Sequence, residues 1–188
     1  YQPTGWVHVD GKPVVWEACQ TLNGSWGYHR DNLDWKPPIM LIRMLIDTVS
    51  KGGNLLLNVG PTARGEFDPR ALSTLSKVGA WMRVHGKSIY GATQSEFEAP
   101  PDCRYTQKGN RLYLHLLAWP FKHVHLPGMK GRVDYAQLLN DGSEVLFLKN
   151  PPQATHTAAQ TGDDALTLVL PVQKPDVAVP VIEMILKD

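Results

Sequence analysis

Cysteine is scarce in this chain. Cys19 and Cys103 are the only two in 188 residues, which excludes a disulfide framework as the main support of the fold and leaves the redox compartment open. An excess of charge of one sign is missing too: 19 Lys and Arg face 18 Asp and Glu, a net charge of +1. Nucleic acid and anionic membrane surfaces recruit partners through one-signed patches, so neither is expected here, and an uncharged partner is. No run approaches the roughly 18 apolar residues of a membrane span. The first residues carry neither an initiating Met nor a signal-peptide pattern, so Tyr1 is expected to be a cut point within a longer precursor or gene product. Internal repeats and low-complexity tracts are absent.

What remains is the profile of a soluble globular protein, with 43% hydrophobic and 20% charged residues and enough length for one or two cores. The first half alternates strand-like and helix-like segments. Val14 to Cys19 reads as a short buried strand, and Thr21 to Trp35 as a loop rich in Gly, Ser and aromatics. A helix starts at Pro37-Pro38, where a missing N–H costs little, and runs through Leu41, Ile42, Leu45, Ile46 and Val49 to Gly52. Leu55 to Val59 is a continuous apolar run closed by Gly60-Pro61, as expected of a parallel strand covered on both faces. Asp68-Pro69 then forms an N-cap and N1 pair ahead of Leu72, Leu75, Val78 and Met82 at helical spacing. Such βα repeats imply a parallel sheet or barrel, with functional groups at the C-terminal ends of its strands.

The character changes near Tyr90 to Pro101. Beyond it, Arg111 to Leu117, Val133 to Leu139, Glu144 to Leu148, Ala165 to Val172 and Val179 to Leu186 are short apolar runs. Turn signals separate them: Lys108-Gly109-Asn110, Asn140-Asp141-Gly142 and Thr161-Gly162-Asp163. This spacing favours an antiparallel sandwich.

Trp16-Glu17-Ala18-Cys19, Ser25-Trp26-Gly27-Tyr28 and Gly52-Gly53-Asn54-Leu55-Leu56-Leu57-Asn58-Val59-Gly60-Pro61 stand in an order and spacing that resemble the C-terminal part of glycoside hydrolase family 29, the retaining α-L-fucosidases. Gly86 to Gly91, Leu112-Tyr113 and Trp119-Pro120 extend the resemblance to about two thirds of the chain. It implies α/β plus all-β architecture: residues 1–92 as the last βα units of a (β/α)8-like barrel, and 93–188 as an antiparallel β-sandwich. It also implies an exo-acting hydrolase of terminal α-L-fucose on glycans or fucosides, without a cofactor, and is compatible with a periplasmic or secreted parent enzyme.

Retention requires two carboxyl groups about 5 to 5.5 Å apart, a nucleophile and an acid/base. By resemblance Glu17 is the acid/base, at the end of a barrel strand. Trp16 beside it is expected to disfavour the charged carboxylate, as a general acid needs. Trp16, Trp26, Tyr28 and Asn58 are the candidate substrate-binding residues. Trp26 and Tyr28 have flat faces that suit the axial C–H patch of a sugar, or serve to pin the loop. Asn58 is read as a donor to a sugar hydroxyl, a holder of a carboxylate, or a backbone cap.

The family's nucleophilic Asp and His-rich strands lie upstream of this segment. The site is therefore expected to need the missing N-terminal barrel portion or a homo-oligomer, with Asp10, Asp31 and Asp34 the first acids to test if the chain completes its own site. A noncatalytic remnant or carbohydrate-binding module is the alternative. His29, His115, His123 and His125 read as structural, with His123 and His125 on one strand face and no metal site expected. Gly52-Gly53 and Gly60 lack the Lys-Ser/Thr ending of a P-loop and read as turn glycines.

Overall fold

The computed structural model describes residues 3–148 and 162–187; Tyr1 and Thr161 of the sequence reading lie outside them. The chain divides into two compact units, Tyr1–Gln94 and Ser95–Asp188.

The first unit opens with a hairpin of β1 (His8–Val9) and β2 (Lys12–Pro13). Asp10 and Gly11 fill its two-residue turn, both at positive φ, the conformation that twists a tight hairpin correctly. Strand β3 (Trp16–Thr21) then pairs in parallel with β4 (Gly53–Asn58). Helix α1 (Pro38–Val49) crosses between them, and α2 (Pro69–His85) follows β4. Pro38 begins α1 and Pro69 begins α2, each where its missing N–H is no loss. Helix α1 buries Leu41, Ile42, Ile46 and Val49.

Strand β3 thus starts and ends two residues later than its apolar run suggested. The expected cover on both faces of β4 also needs correction. Side chains alternate along a strand: Leu57 packs into the cluster of Leu22, Leu41 and Ala71 beside the helices, whereas Leu56 between its neighbours is 45% exposed. Register pairs Leu56 with exposed Cys19, and Asn54 with Glu17. The two-stranded sheet therefore has one covered face and one open face.

The second unit holds two antiparallel sheets. One orders β5 (Cys103–Lys108), β6 (Arg111–Leu116), β11 (Val181–Leu186) and β8 (Val133–Leu138) as β5-β6-β11-β8. The other orders β7 (His123–Leu126), β10 (Leu166–Val169) and β9 (Leu146–Leu148) as β7-β10-β9. Alternate residues of both enter one core: Leu112, Leu114 and Met184 from the first sheet, Leu126 and Leu168 from the second. On the opposite face of the four-stranded sheet, buried Glu183 accepts from Arg111 Nη1 at 2.6 Å and Gln137 Nε2 at 2.7 Å. A buried carboxylate so far from water needs these partners.

The contrast between faces gives an expected outcome in stability. Leu114→Ala removes a fully buried side chain and should destabilise the second unit by about 2–5 kcal/mol in denaturant unfolding. Leu56→Ala should cost under about 0.5 kcal/mol, as surface changes do. Equal losses at the two positions would mean that the open face is covered in solution.

Candidate active site

The C-terminal ends of β3 and β4 carry a long ordered loop. Its base closes where Asn23 bridges to Trp35 and Lys36 N–H donates to Leu22 C=O at 2.9 Å. Lys36 Nζ donates to the carbonyls of Thr21 at 2.8 Å and Asn23 at 3.3 Å, so its ammonium takes up acceptors where β3 ends. Thr21 Oγ1 also donates to the Asn23 carbonyl. Inside the loop, Asn23 Oδ1 accepts from Ser25 N–H and Asn32 Oδ1 from Asp34 N–H, both side chain to backbone two residues on. This turn chemistry explains why Asn recurs there.

Two contacts clamp the loop tip onto β4. Asn58 Nδ2, at the last residue of β4, donates to Trp26 C=O at 2.6 Å. Two positions on, Gly60 lets the Gly27-Tyr28 backbone approach so closely that a Cβ would lie 2.6 Å from Gly27 C and 2.7 Å from Tyr28 N. Gly60 is therefore a contact glycine, and its reading as a turn glycine is corrected. Gly53 needs the same correction: a Cβ there would lie 2.5 Å from the Trp16 ring. Gly52, at φ 76°, does turn the chain after α1.

A second clamp comes from α2. Asp68 caps the helix by accepting from Arg70 N–H at 2.8 Å, and the Arg70 guanidinium grips the same carboxylate with Nε at 2.9 Å and Nη2 at 2.8 Å. Arg70 also donates to Asn32 C=O at 3.0 Å and Arg30 C=O at 3.1 Å, and stacks over Trp35 at 4.7 Å. Hydrogen bonds from Arg70 hold the Asp68 carboxyl at about 2, below its usual 3.8.

These clamps present Trp26, 62% exposed, and Tyr28, 43% exposed, just beyond the strand ends. The cleft beneath them, lined by Asn23, Ser25, Tyr28, Trp35 and Asn58, encloses ≈ 10 Å³, about the room of one water. Asn58 sits within the arrangement as a backbone tether.

Glu17 and Trp16 lie elsewhere. Glu17 is the second residue of β3, on the open face opposite Asn54. At about 3.3 Å per residue the strand carries it about 13 Å below Thr21 at the ledge. The expected place at the strand's end is thus corrected: Glu17 stands at its start. Trp16 points to the other face, where its ring lies over Gly53 and its Nε1 donates to Lys51 C=O at 2.9 Å. Alternation therefore puts the Trp16 ring and the Glu17 carboxyl on opposite faces of β3, and the expected apposition of the two is corrected. Its substrate-binding role gives way to a packing one.

Asp10 occupies the hairpin turn, Asp31 pairs with Arg30 at 3.1 Å, and exposed Asp34 closes an Asn32 turn. Buried His115 shares a hydrogen bond with Thr106 Oγ1, and exposed His29 borders the cleft. Among the described residues, no three His, Cys, Asp or Glu side chains are grouped to hold a metal.

Sequence reasoning missed Arg70 and Lys36 as loop holders. Arg70 two residues after an acidic N-cap was a local signal, whereas its reach to Arg30 and Asn32 was not visible in sequence.

Parallel βα structure is thus followed along the chain by antiparallel sheets, with exposed aromatics at the ends of the parallel strands. Residues 6–87 match the family model for alpha-L-fucosidase. The α-L-fucosidase isoenzyme 1 from Paenibacillus thiaminolyticus superposes on 100% of this chain and 44% of its own length, with a TM-score of 0.89 and 45% identity. The Thermotoga maritima α-fucosidase, solved with a mechanism-based inhibitor, gives 0.75 at 26% identity over 91% of this chain and 40% of its own. The plasma alpha-L-fucosidase of Pongo abelii is 38% identical over 116 residues, 57% of this chain. The chain is thus a relative of the family 29 α-L-fucosidases, matching their C-terminal part. It spans about a quarter of the length of the curated relatives it matches.

Two outcomes follow for the ledge. Gly60→Ala should lift the loop tip, read as faster hydrogen exchange across residues 22–36, with Asn58→Ala giving a smaller increase; unchanged protection in both would remove the clamp. For the second clamp, a depressed carboxyl stabilises above its unfolded value of 3.8 and loses that contribution as pH falls through about 2. Wild-type Tm should therefore drop across that window, and Asp68→Asn, which keeps the cap without the charge, should be lower near neutrality and flatter in acid.

Proposed function

We propose that this chain is the closing portion of a retaining α-L-fucosidase. On this reading β3-α1-β4-α2 are the last βα units of a (β/α)8-like barrel, up to about residue 92. The sheets beyond, 93–188, are its β-sandwich. The observation that carries the proposal is the double clamp holding Trp26 and Tyr28, exposed, at the C-terminal ends of parallel strands. Barrel enzymes place their substrates at that end. The substrate is a fucosylated glycan or fucoside, whose apolar sugar face stacks on these rings.

The open face of β3 and β4, with Leu56 and Cys19 exposed, suits strands of an upstream barrel portion that also carries the nucleophile. A second copy of this chain is the other candidate to cover it. Glu17 is the acid/base of this proposal by resemblance, protonating the leaving oxygen as the glycosidic bond breaks. Its place at the start of β3 favours a second reading, in which both carboxyls come from outside these residues and the chain contributes only the sugar ledge.

The experiment compares Glu17→Gln with wild type in the protein extended upstream, using aryl α-L-fucosides with a poor and a good leaving group. An acid/base should lose kcat/KM on the poor leaving group by about 10²–10⁴, and far less on the good one. Equal loss on both, or none, moves the acid elsewhere and favours the second reading. The present chain alone should be inactive on both substrates; ordinary turnover by a monomer in light scattering would overturn the divided site.

A further inference from the structure

His123 and His125 lie two residues apart on β7, an edge strand of the three-stranded sheet, and so project from one face. Val124 and Leu126 between and after them point into the core. The two rings are 6.5 Å apart between centroids and tilted by 32°. Behind them, Thr167 of β10 pairs in register with His125, and its buried hydroxyl shares a hydrogen bond with His125 Nδ1 at 2.8 Å. One ring nitrogen of His125 is thus held by a buried hydroxyl, while the residue as a whole is exposed.

This is the arrangement of a metal-ligating histidine with its orienting partner, where the tethered nitrogen sets the tautomer and aims the other. We propose that His123 and His125 together form a two-imidazole site for a divalent transition metal of the Cu²⁺, Ni²⁺ or Zn²⁺ class in the second unit. Metal–nitrogen bonds of about 2.0–2.1 Å bring two ligating imidazole centroids to about 5–6 Å. The observed separation closes to that by a small turn of His123 about its side-chain bonds, with His125 held by Thr167. Imidazole nitrogen suits these three metals, with Cu²⁺ the tightest in the usual order. Waters complete the coordination, since no third His, Cys, Asp or Glu joins the pair among the described residues.

The probe is Cu²⁺ added to the intact chain, followed by calorimetry and by electron paramagnetic resonance for equatorial nitrogens. The expected result is one saturable equivalent with two nitrogens. His123→Ala and His125→Ala should each weaken it at least tenfold and leave one nitrogen. Thr167→Val should weaken it about 10–100-fold with both nitrogens retained, as loss of an orienting partner does. His8→Ala and His29→Ala should leave it unchanged. Absence of saturable binding would overturn the proposal, as would a site that survives both the His123 and His125 substitutions. Retained far-ultraviolet dichroism in each variant separates loss of ligands from loss of fold.

Discussion

The close approach of the Gly27-Tyr28 backbone to Gly60 is the contact on which the candidate site depends. Everything at the strand ends follows from it. With no Cβ at 60, the loop after β3 can lie flat on the exit of β4, and Asn58 can then reach the Trp26 carbonyl. A loop of this length would otherwise sample many conformations, at a cost of about 1–2 kcal/mol for each residue ordered. Here two local turn motifs, Lys36 and Arg70 share that cost, and two large aromatics end up exposed without being free to wander. Rigid aromatics lose little entropy on binding, so a ledge built this way is ready for an apolar surface.

The same contact explains why motif words distant in sequence belong together. Ser25-Trp26-Gly27-Tyr28 and Leu57-Asn58-Val59-Gly60 are two halves of one interlock, 32 residues apart between Trp26 and Asn58. Trp16 and Gly53 form another at the opposite end of the strands, the indole lying where a side chain on 53 would be. Each word supplies either the bulk or the gap, so neither half has a local reason to exist. Sequence periodicity sees neither, because both are contacts between elements.

What could be read from the chain was what local chemistry dictates. The Pro37-Pro38 start, the Asp68-Pro69 cap and the apolar runs of the second half all have structural counterparts. Alternation was also legible, yet it was not applied where it mattered: adjacent Trp16 and Glu17 must face opposite sides of β3. Strand ends were less legible. Val14-Val15 looks like the start of a strand, but Val14 N–H is spent on Val7 C=O and Val15 is exposed, so pairing with β4 begins at Trp16. That shift of two residues moves Glu17 from the fourth place of six to the second. Arg70 was invisible as a clamp because its acceptors lie 38 and 40 residues upstream.

The position of Glu17 also bears on how chemistry is divided along a parallel strand. The open face of β3 and β4 runs through Glu17 and Asn54, then Cys19 and Leu56, then Thr21 and Asn58. Its polar pairs stand at the two ends, with an apolar rung between them. A face of this kind has two separate places for polar work. At the upper one, Asn58 and the loop are already engaged with each other and leave the aromatic rings outward. At the lower one, Glu17 and Asn54 are exposed, so that a carboxylate there keeps its water. Covering the face would desolvate Glu17 and force it either to find a cation or to hold a proton. A general acid and a structural ion pair would thus begin from the same carboxylate, and whatever covered the face would decide between them.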